Sequence, residues 1–252
     1  MEAIMSQIIE LLKARKSVRQ FEAKEIPKEV KDAILEAAFQ APTAGNQMLY
    51  AIIDVTDDVL KHKLSETCDH QPFIAKAPLV LIFLADTRRW LDAYDTAGVE
   101  ARLPQMGDLF LAIQDAVIAA QNAVIAAESF GLGSCYIGDI LENVEEHRTL
   151  LNLDEYVVPI SMLVFGYPTQ GQIDRDKPKR FDKAYVVHEN TYKRLTQVQL
   201  REMHAKQSGK NDFDFDAYIT TFCNRKYMSD FAKEMSRSSE VYAEAFLKNR
   251  SK

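Results

Sequence analysis

The stretch from Gly107 to Phe130 limits the fold more than any other part of this chain, because Leu, Ile, Val and Ala follow one another there with only a few polar residues between them. Strands seldom exceed about ten residues, so the length of the run predicts a helix. Its near-complete apolarity predicts a helix buried in the core, with a subunit interface as an open alternative. Such a helix needs an apolar surface to lie on. The continuous run Pro78-Leu79-Val80-Leu81-Ile82-Phe83-Leu84-Ala85 predicts one, a central strand covered on both faces. It is far too short to span a bilayer.

The other elements fall around this pair. Ile4, Ile8, Ile9, Leu11 and Leu12 recur at helical spacing and predict a first helix ending near Arg15. Pro27 opens a second, with Val30, Ile34, Leu35 and Ala38 on its buried face. Strands are expected from Tyr50 to Val55 and from Val158 to Gly166, and helices from about Asp57 to Cys68 and Val144 to Leu150. Gly131 to Gly138 reads as a glycine-rich turn, and about Asp86 to Pro104 as irregular. From about Thr191 to Lys252 the pattern is helical and more polar, broken at Asn211 to Asp216. Helices interspersed with three or four strands favour a three-layer α/β or α+β sandwich over a helical bundle. The weakly amphipathic tail needs a surface to rest on, either a partner subunit or its own domain. The division expected is residues 1–190 as one domain and 191–252 as a helical C-terminal extension.

Of the 252 residues, 47% are hydrophobic and 27% charged, enough for a full globular core. A formal net charge of -6 disfavours a general nucleic-acid binder, so local basic clusters on this acidic background point to specific anion sites. Cys68, Cys135 and Cys223 are odd in number and widely spaced, which predicts no disulfide framework and a reducing, cytoplasmic setting. The N-terminal residues have no basic leader followed by an apolar core, so no signal peptide is expected.

Four segments could carry chemistry. In Arg15-Lys16-Ser17-Val18-Arg19-Gln20-Phe21 an extended chain would project residues 15, 17 and 19 to one side, where two guanidiniums and a hydroxyl suit a phosphate or the carbonyl edge of a heteroaromatic ring. Pro42-Thr43-Ala44-Gly45-Asn46-Gln47 offers donors and acceptors beside a glycine that lets the backbone approach a ligand. Gly131-Leu132-Gly133-Ser134-Cys135-Tyr136-Ile137-Gly138 is neither GxGxxG nor a P-loop, but it could present free amides to a planar ligand or phosphate. Lys177-Pro178-Lys179-Arg180 adds a stiffened cationic cluster. Ordinary solvated charge and turn chemistry remain alternatives for each segment. His62, Cys68 and His70 match no zinc spacing, Asp92, Asp95 and Asp108 no calcium loop, and no Gly-x-Ser-x-Gly elbow occurs. Cys135 reads as a packed small residue rather than a nucleophile.

In this order the segments resemble the nitroreductase family of FMN-dependent oxidoreductases, in particular its flavin-reductase branch with long C-terminal tails. Residues 15–21 are similar to that family's N-terminal signature, 41–46 to its second flavin loop, 131–138 to the loop along the flavin, and Lys177-Pro178-Lys179 to the branch's phosphate clamp. The resemblance covers about residues 7–200. It implies a three-layer sandwich with a mostly antiparallel central sheet, and a homodimer with FMN at the subunit interface. By this resemblance Arg15, Lys16, Ser17 and Arg19 would hold the FMN phosphate and pyrimidine edge. Thr43, Asn46 and Gln47 would lie near the ring, bordered by the amides of Tyr136, Ile137 and Gly138, and Lys177 and Lys179, with Arg180 in reserve, would complete the phosphate site. NADH or NADPH would reduce the flavin by hydride transfer, and a small-molecule acceptor (nitroaromatic, quinone or flavin) would reoxidise it in ping-pong fashion. No protein side chain is expected to be catalytic, because the flavin carries the chemistry. Alternatives on the same scaffold are a flavin-binding redox sensor, or a specialised flavoenzyme for dehalogenation or flavin fragmentation. The chain departs from the pattern at Met48-Leu49-Tyr50, where the family has a Gln and then Pro-Trp, and at Lys179, where the branch has Arg.

Overall fold

The computed structural model describes residues 2–248, with side chains from Gln7 onward. The side chain of Ile4 and the last residues of the C-terminal extension, 249–252, lie outside them. The elements in order are α1 Glu2–Ala14, α2 Lys28–Phe39, β1 Tyr50–Asp54, α3 Asp58–Thr67, α4 Pro72–Ala75, β2 Leu79–Asp86, α5 Arg88–Thr96, α6 Met106–Ser129, β3 Gly133–Ile137, α7 Val144–Leu150 and β4 Val157–Gly166. Beyond these come α8 Gln170–Asp174, α9 Lys183–Val186, α10 Gln197–Ser208, α11 Phe215–Phe222 and α12 Asp230–Leu247. The chain forms two compact units. One runs from the N-terminus to Arg175 and takes in the chain again from Glu234, and the other is Asp176–Lys233.

In the first unit the strands form one sheet in the order β1-β2-β4-β3, with every pair antiparallel. Leu79, Leu81, Phe83, Leu163 and Phe165 point to one face, where α2 and α6 cover them with Ile34, Ala38 and the α6 alanines. Val80, Ile82, Leu84, Met162 and Val164 point to the other, against Leu64 of α3 and Ile74 of α4. The period-two alternation of a strand sends neighbours to opposite faces, and both faces are covered. This explains why all eight residues of β2 are buried and why its sequence is apolar without interruption. The three-layer sandwich expected from the sequence is the one observed.

Ala112, Ala116, Ala119, Ala120, Ala123 and Ala127 of α6 are fully buried, so the helix packs closely through small side chains. Its larger residues Phe110, Leu111, Val117 and Ile118 stay exposed. By length and composition alone α6 could cross a membrane, but its alanine stripe is used on the sheet. At the end of the chain α12 returns to the first unit. Tyr242, Ala245 and Phe246 are buried in a third cluster with Leu109, Tyr156 and Val158, and Phe246 meets Tyr156 edge-on at 5.3 Å.

Two readings need correction. Gly131 to Gly138 is not simply a turn, since Gly133–Ile137 is the edge strand β3. Only Gly131, at φ 74°, has the left-handed backbone of a turn. The stretch 86–104 contains the regular helix α5. No residue of α5 is fully buried, but Trp90, Leu91 and Tyr94 fall at helical spacing along it, an apolar stripe that reading the stretch as irregular passes over.

Candidate functional site

The Arg15–Phe21 segment is extended and runs along the free edge of β3. Ser17 bridges Ser134 in parallel, with Val18 N–H donating to the Ser134 carbonyl at 2.8 Å, and Phe21 bridges Pro168. Two glycines make this approach possible. A Cβ on Gly133 would lie 2.8 Å from Val18 Cβ, and one on Gly166 would lie 2.7 Å from the Phe21 ring. The signature therefore docks through Val18 and Phe21, and alternation turns residues 15, 17 and 19 to the side opposite Val18. Gly133→Ala is expected to lift the segment from the sheet and cost about 1–3 kcal/mol, the usual range for overpacking. A denaturation midpoint equal to that of the wild type would show that the segment is not seated this way.

Arg15 is half-buried, and its Nη1 is a buried atom with no hydrogen-bond partner. Buried guanidinium donors are normally paired, so an anion is the natural complement. Ser17, Arg19 and Arg15 all act on Cys135. Burial pushes that thiol up, and these three neighbours only partly offset it. A thiol that is buried and held protonated is a packed residue, not a nucleophile. Next to it burial pushes the Tyr136 phenol up to about 12, against the pull of Arg15. The Ile137 side chain is in the core, so position 137 can meet a ligand only through its main chain. A side chain on Gly138 would meet nothing within 4 Å.

Lys16 does not join the cationic face. Its ammonium donates to the Ile173 carbonyl at 2.6 Å and to that of Arg175. Arg175 in turn donates to the Ser17 carbonyl, and Arg19 N–H donates to Gln172 Oε1 at 3.1 Å. These reciprocal bonds clasp residues 172–175 to the signature. Beside the clasp, Arg19, Lys76 and Arg175 border a cavity of about 610 Å³ with Phe21, Phe73 and Gln172. Three cations around one cavity suit a phosphate. Sequence reasoning missed Lys76, Gln172 and Arg175. Only the closeness of Arg175 to Lys177 and Lys179 could have drawn attention to it.

The second loop is built around Asp115, a buried carboxylate of α6. Thr43 Oγ1 donates to it, as do Ala44 N–H at 3.0 Å and Leu49 N–H at 3.1 Å. Thr43 Oγ1 also accepts from Met48 N–H at 2.8 Å. The Thr43 hydroxyl is thus committed to shaping the loop. Gly45, Asn46 and Met48 have φ of 57°, 58° and 49°, and Asn46 is exposed. From α5, Trp90 Nε1 donates to the Gln47 carbonyl at 2.8 Å, while Arg89 donates to the carbonyls of Met48 and Tyr50. An acid in the middle of the apolar Gly107–Phe130 run, away from Asp108 and Glu128 at its ends, was the available signal for Asp115.

The structure thus brings Arg15, Ser17, Arg19, Cys135 and Tyr136 together at the β3 edge. The 43–47 loop feeds β1 at the opposite edge, three strand spacings or about 14 Å away. Lys177 and Lys179 belong to the second unit. There Lys179 Nζ lies over Gly209, at φ 65°, and the Lys179 carbonyl accepts from Gln207 Nε2 at 3.2 Å. Among the described residues no His, Cys, Asp and Glu group could hold a metal ion.

Comparison with known proteins adds to this geometry. The model of the nitroreductase family matches residues 12–167. An FMN reductase [NAD(P)H] of Bacillus subtilis is 32% identical over 88% of this chain and 93% of its own length. An oxygen-insensitive NADPH nitroreductase of Salmonella typhimurium is 34% identical over 78% of this chain and 79% of its own. Among solved structures, the NfrA1 nitroreductase of B. subtilis superposes with a TM-score of 0.75 at 29% identity, covering 91% of this chain and 98% of that one.

Proposed function

This chain belongs to the nitroreductase family, and from that premise we propose that it is an NAD(P)H-dependent FMN oxidoreductase reducing small acceptors such as nitroaromatics, quinones or flavins. The observation that carries the reading is the orphaned, buried Arg15 Nη1 beside Ser17 and Arg19, inside the segment the family model matches. FMN fits these residues: its phosphate needs charged donors and its ring carbonyls need N–H groups.

Bound FMN would accept a hydride from NADH or NADPH and return electrons to the acceptor. The chain's own residues bind and orient. Arg15 and Ser17 hold the cofactor's anionic or carbonyl edge, Arg19 places positive charge beside it, and the main chain at Tyr136, Ile137 and Gly138 borders its ring. Lys177 and Lys179 are assigned to the phosphate. Lys16 acts indirectly, by clasping residues 172–175. Cationic groups in place before reaction favour negative charge wherever it develops, without reorganising.

The two loops at opposite sheet edges reach one cofactor when a second copy supplies its 43–47 loop, which makes a homodimer part of the proposal. Ile8, Ile9 and Leu12 of α1 and Phe110, Leu111, Val117 and Ile118 of α6 are exposed apolar residues suited to such an interface. Within the extension from residue 191, Tyr218, Phe222, Tyr227 and Met228 are also exposed and are assigned to packing on the partner. Val117→Glu combined with Phe110→Glu is expected to give monomers by light scattering, and an unchanged dimer would place the interface elsewhere. The free thiols of Cys68, Cys135 and Cys223 suit a reducing cytoplasm.

The test is an absorbance spectrum of the purified protein, then anaerobic addition of NADH or NADPH. Flavin bands that bleach support the proposal and identify the donor, and no flavin after reconstitution with FMN refutes it. Arg15→Ala and Arg19→Ala should each weaken FMN binding roughly ten- to hundredfold, the scale of one charge-assisted hydrogen bond. Full affinity in both variants would move the site elsewhere.

A further inference from the structure

The cavity of about 610 Å³ beside the clasp carries an imbalance of charge. Arg19, Lys76 and Arg175 border it and no acidic residue does. None of the three takes part in an ion pair among the described residues, on a chain whose net charge is -6. Two of the cations are anchored before anything binds. Arg175 donates to the Ser17 carbonyl while Lys16 holds the Arg175 carbonyl. Arg19 is tied through its N–H to Gln172 Oε1, and its guanidinium stands 6.0 Å from the centre of the Phe73 ring. Fixed cations of one sign around a cleft attract negative charge without reorganising.

Two features narrow what this charge acts on. The volume lies in the range of cofactor sites, roughly 300–1,000 Å³, and exceeds what one phosphate fills. Phe21 and Phe73 give the wall two aromatic rings, which suit a flat heteroaromatic ligand. The flavin ring is neutral when oxidised. A hydride brings two electrons and one proton, so a ring that accepts it gains one negative charge as the nicotinamide leaves oxidised. We propose that Lys76 and Arg175, together with Arg19, hold the reduced, anionic flavin more tightly than the oxidised one and thereby raise its reduction potential. This rests on the flavin reading, and it gives a task to two residues outside the 15–21 signature and the 177–180 cluster.

All three residues are exposed, so solvent weakens each interaction. Each unit of charge is expected to change the preference for reduced flavin roughly three- to tenfold, which for a two-electron couple is about 15–30 mV.

The test is the midpoint potential of bound FMN, read from flavin absorbance against a reference dye, in a charge series at one position. Lys76 is the clean probe, because its ammonium makes no hydrogen bond or ion pair among the described residues, whereas Arg175 also fastens Ser17. Lys76→Arg should keep the wild-type potential. Lys76→Met should lower it by about 15–30 mV and Lys76→Glu by about twice as much. Arg175→Met should fall as Lys76→Met does, and Arg175→Lys, which restores the charge without the planar donor, should recover most of the loss. Oxidised FMN should bind every Lys76 variant within about threefold of wild type, the scale of one exposed charge. Equal potentials in Lys76→Met, Lys76→Glu and wild type would overturn the proposal and leave the flavin reading standing. An equal fall in Lys76→Arg and Lys76→Met would also overturn it, because packing rather than charge would then be the cause. A protein that takes up no FMN would refute the flavin reading and this proposal with it.

Discussion

Replacing Asp115 by Ala should lower stability by about 3–5 kcal/mol, a fall in melting temperature of roughly 10 °C or more for a chain of this size. The carboxylate is buried and receives the Thr43 hydroxyl and the N–H groups of Ala44 and Leu49. Its removal leaves three donors without an acceptor, the Leu49 N–H buried and the Thr43 hydroxyl and Ala44 N–H partly so, and unmade buried hydrogen bonds cost more than made ones contribute. Asp115→Asn keeps one acceptor oxygen and the shape, so about half the loss is expected. The damage should be local as well as global. The 43–49 loop holds left-handed residues at 45, 46 and 48 only because Asp115 on one side and Arg89 and Trp90 on the other fasten it. Trp90 emission should therefore shift red in Asp115→Ala well below the melting temperature. A variant within 1 kcal/mol of wild type, with unchanged emission, would show that the loop does not depend on this carboxylate.

Glu142→Gln should do the opposite at alkaline pH. Glu142 is buried, and its Oε1 has no hydrogen-bond partner. Burial first, then the carboxylates of Asp139, Asp69 and Glu234, raise its pKa to about 7. The folded chain thus holds this proton more tightly than the unfolded chain, whose glutamate titrates at about 4.3. Below that value both states are protonated and the group costs nothing. Between about pH 4.3 and 7 only the unfolded state ionises, so stability falls as pH rises, and above about 7 the full penalty remains. Gln removes the charge and keeps the shape, so a gain of about 2 kcal/mol is expected at pH 8 and essentially none at pH 4. An equal difference at both pH values would rule out ionisation as the cause. The neighbouring latch has the reverse sign. Arg237 holds the Glu145 and Glu234 carboxyls down at about 2, so their contribution is present above the usual carboxylate range and is lost as pH falls toward 2. Glu234 also accepts from Asn143 N–H and Ser238, so acid should loosen α12 from the start of α7.

Residues 15–19 show how far a linear reading reaches. Two cations and a hydroxyl at alternate positions of an extended chain are a property of the covalent backbone, so Arg15, Ser17 and Arg19 could be recognised as a group before any fold was known. Lys16 had the same charge and the same motif, yet it faces the other way and binds the carbonyls of Ile173 and Arg175. That partner lies more than 150 residues away in sequence, and no local pattern encodes it. The same division holds for the glycines. Gly133 looked like turn chemistry, but it is small because Val18 lies against it across the edge of β3.

By itself the sequence determined the layers. An eight-residue apolar run fits a strand covered on both faces, and a 24-residue one is too long for a strand and fits a core helix, because burial follows the period of each element. Only the tertiary structure decided which polar groups converge. Asp115 reaches Thr43, Arg175 reaches Ser17, and Lys76 joins Arg19 because strand order and helix packing bring distant segments within a few ångströms. A hydrogen bond depends on that distance and is indifferent to separation along the chain.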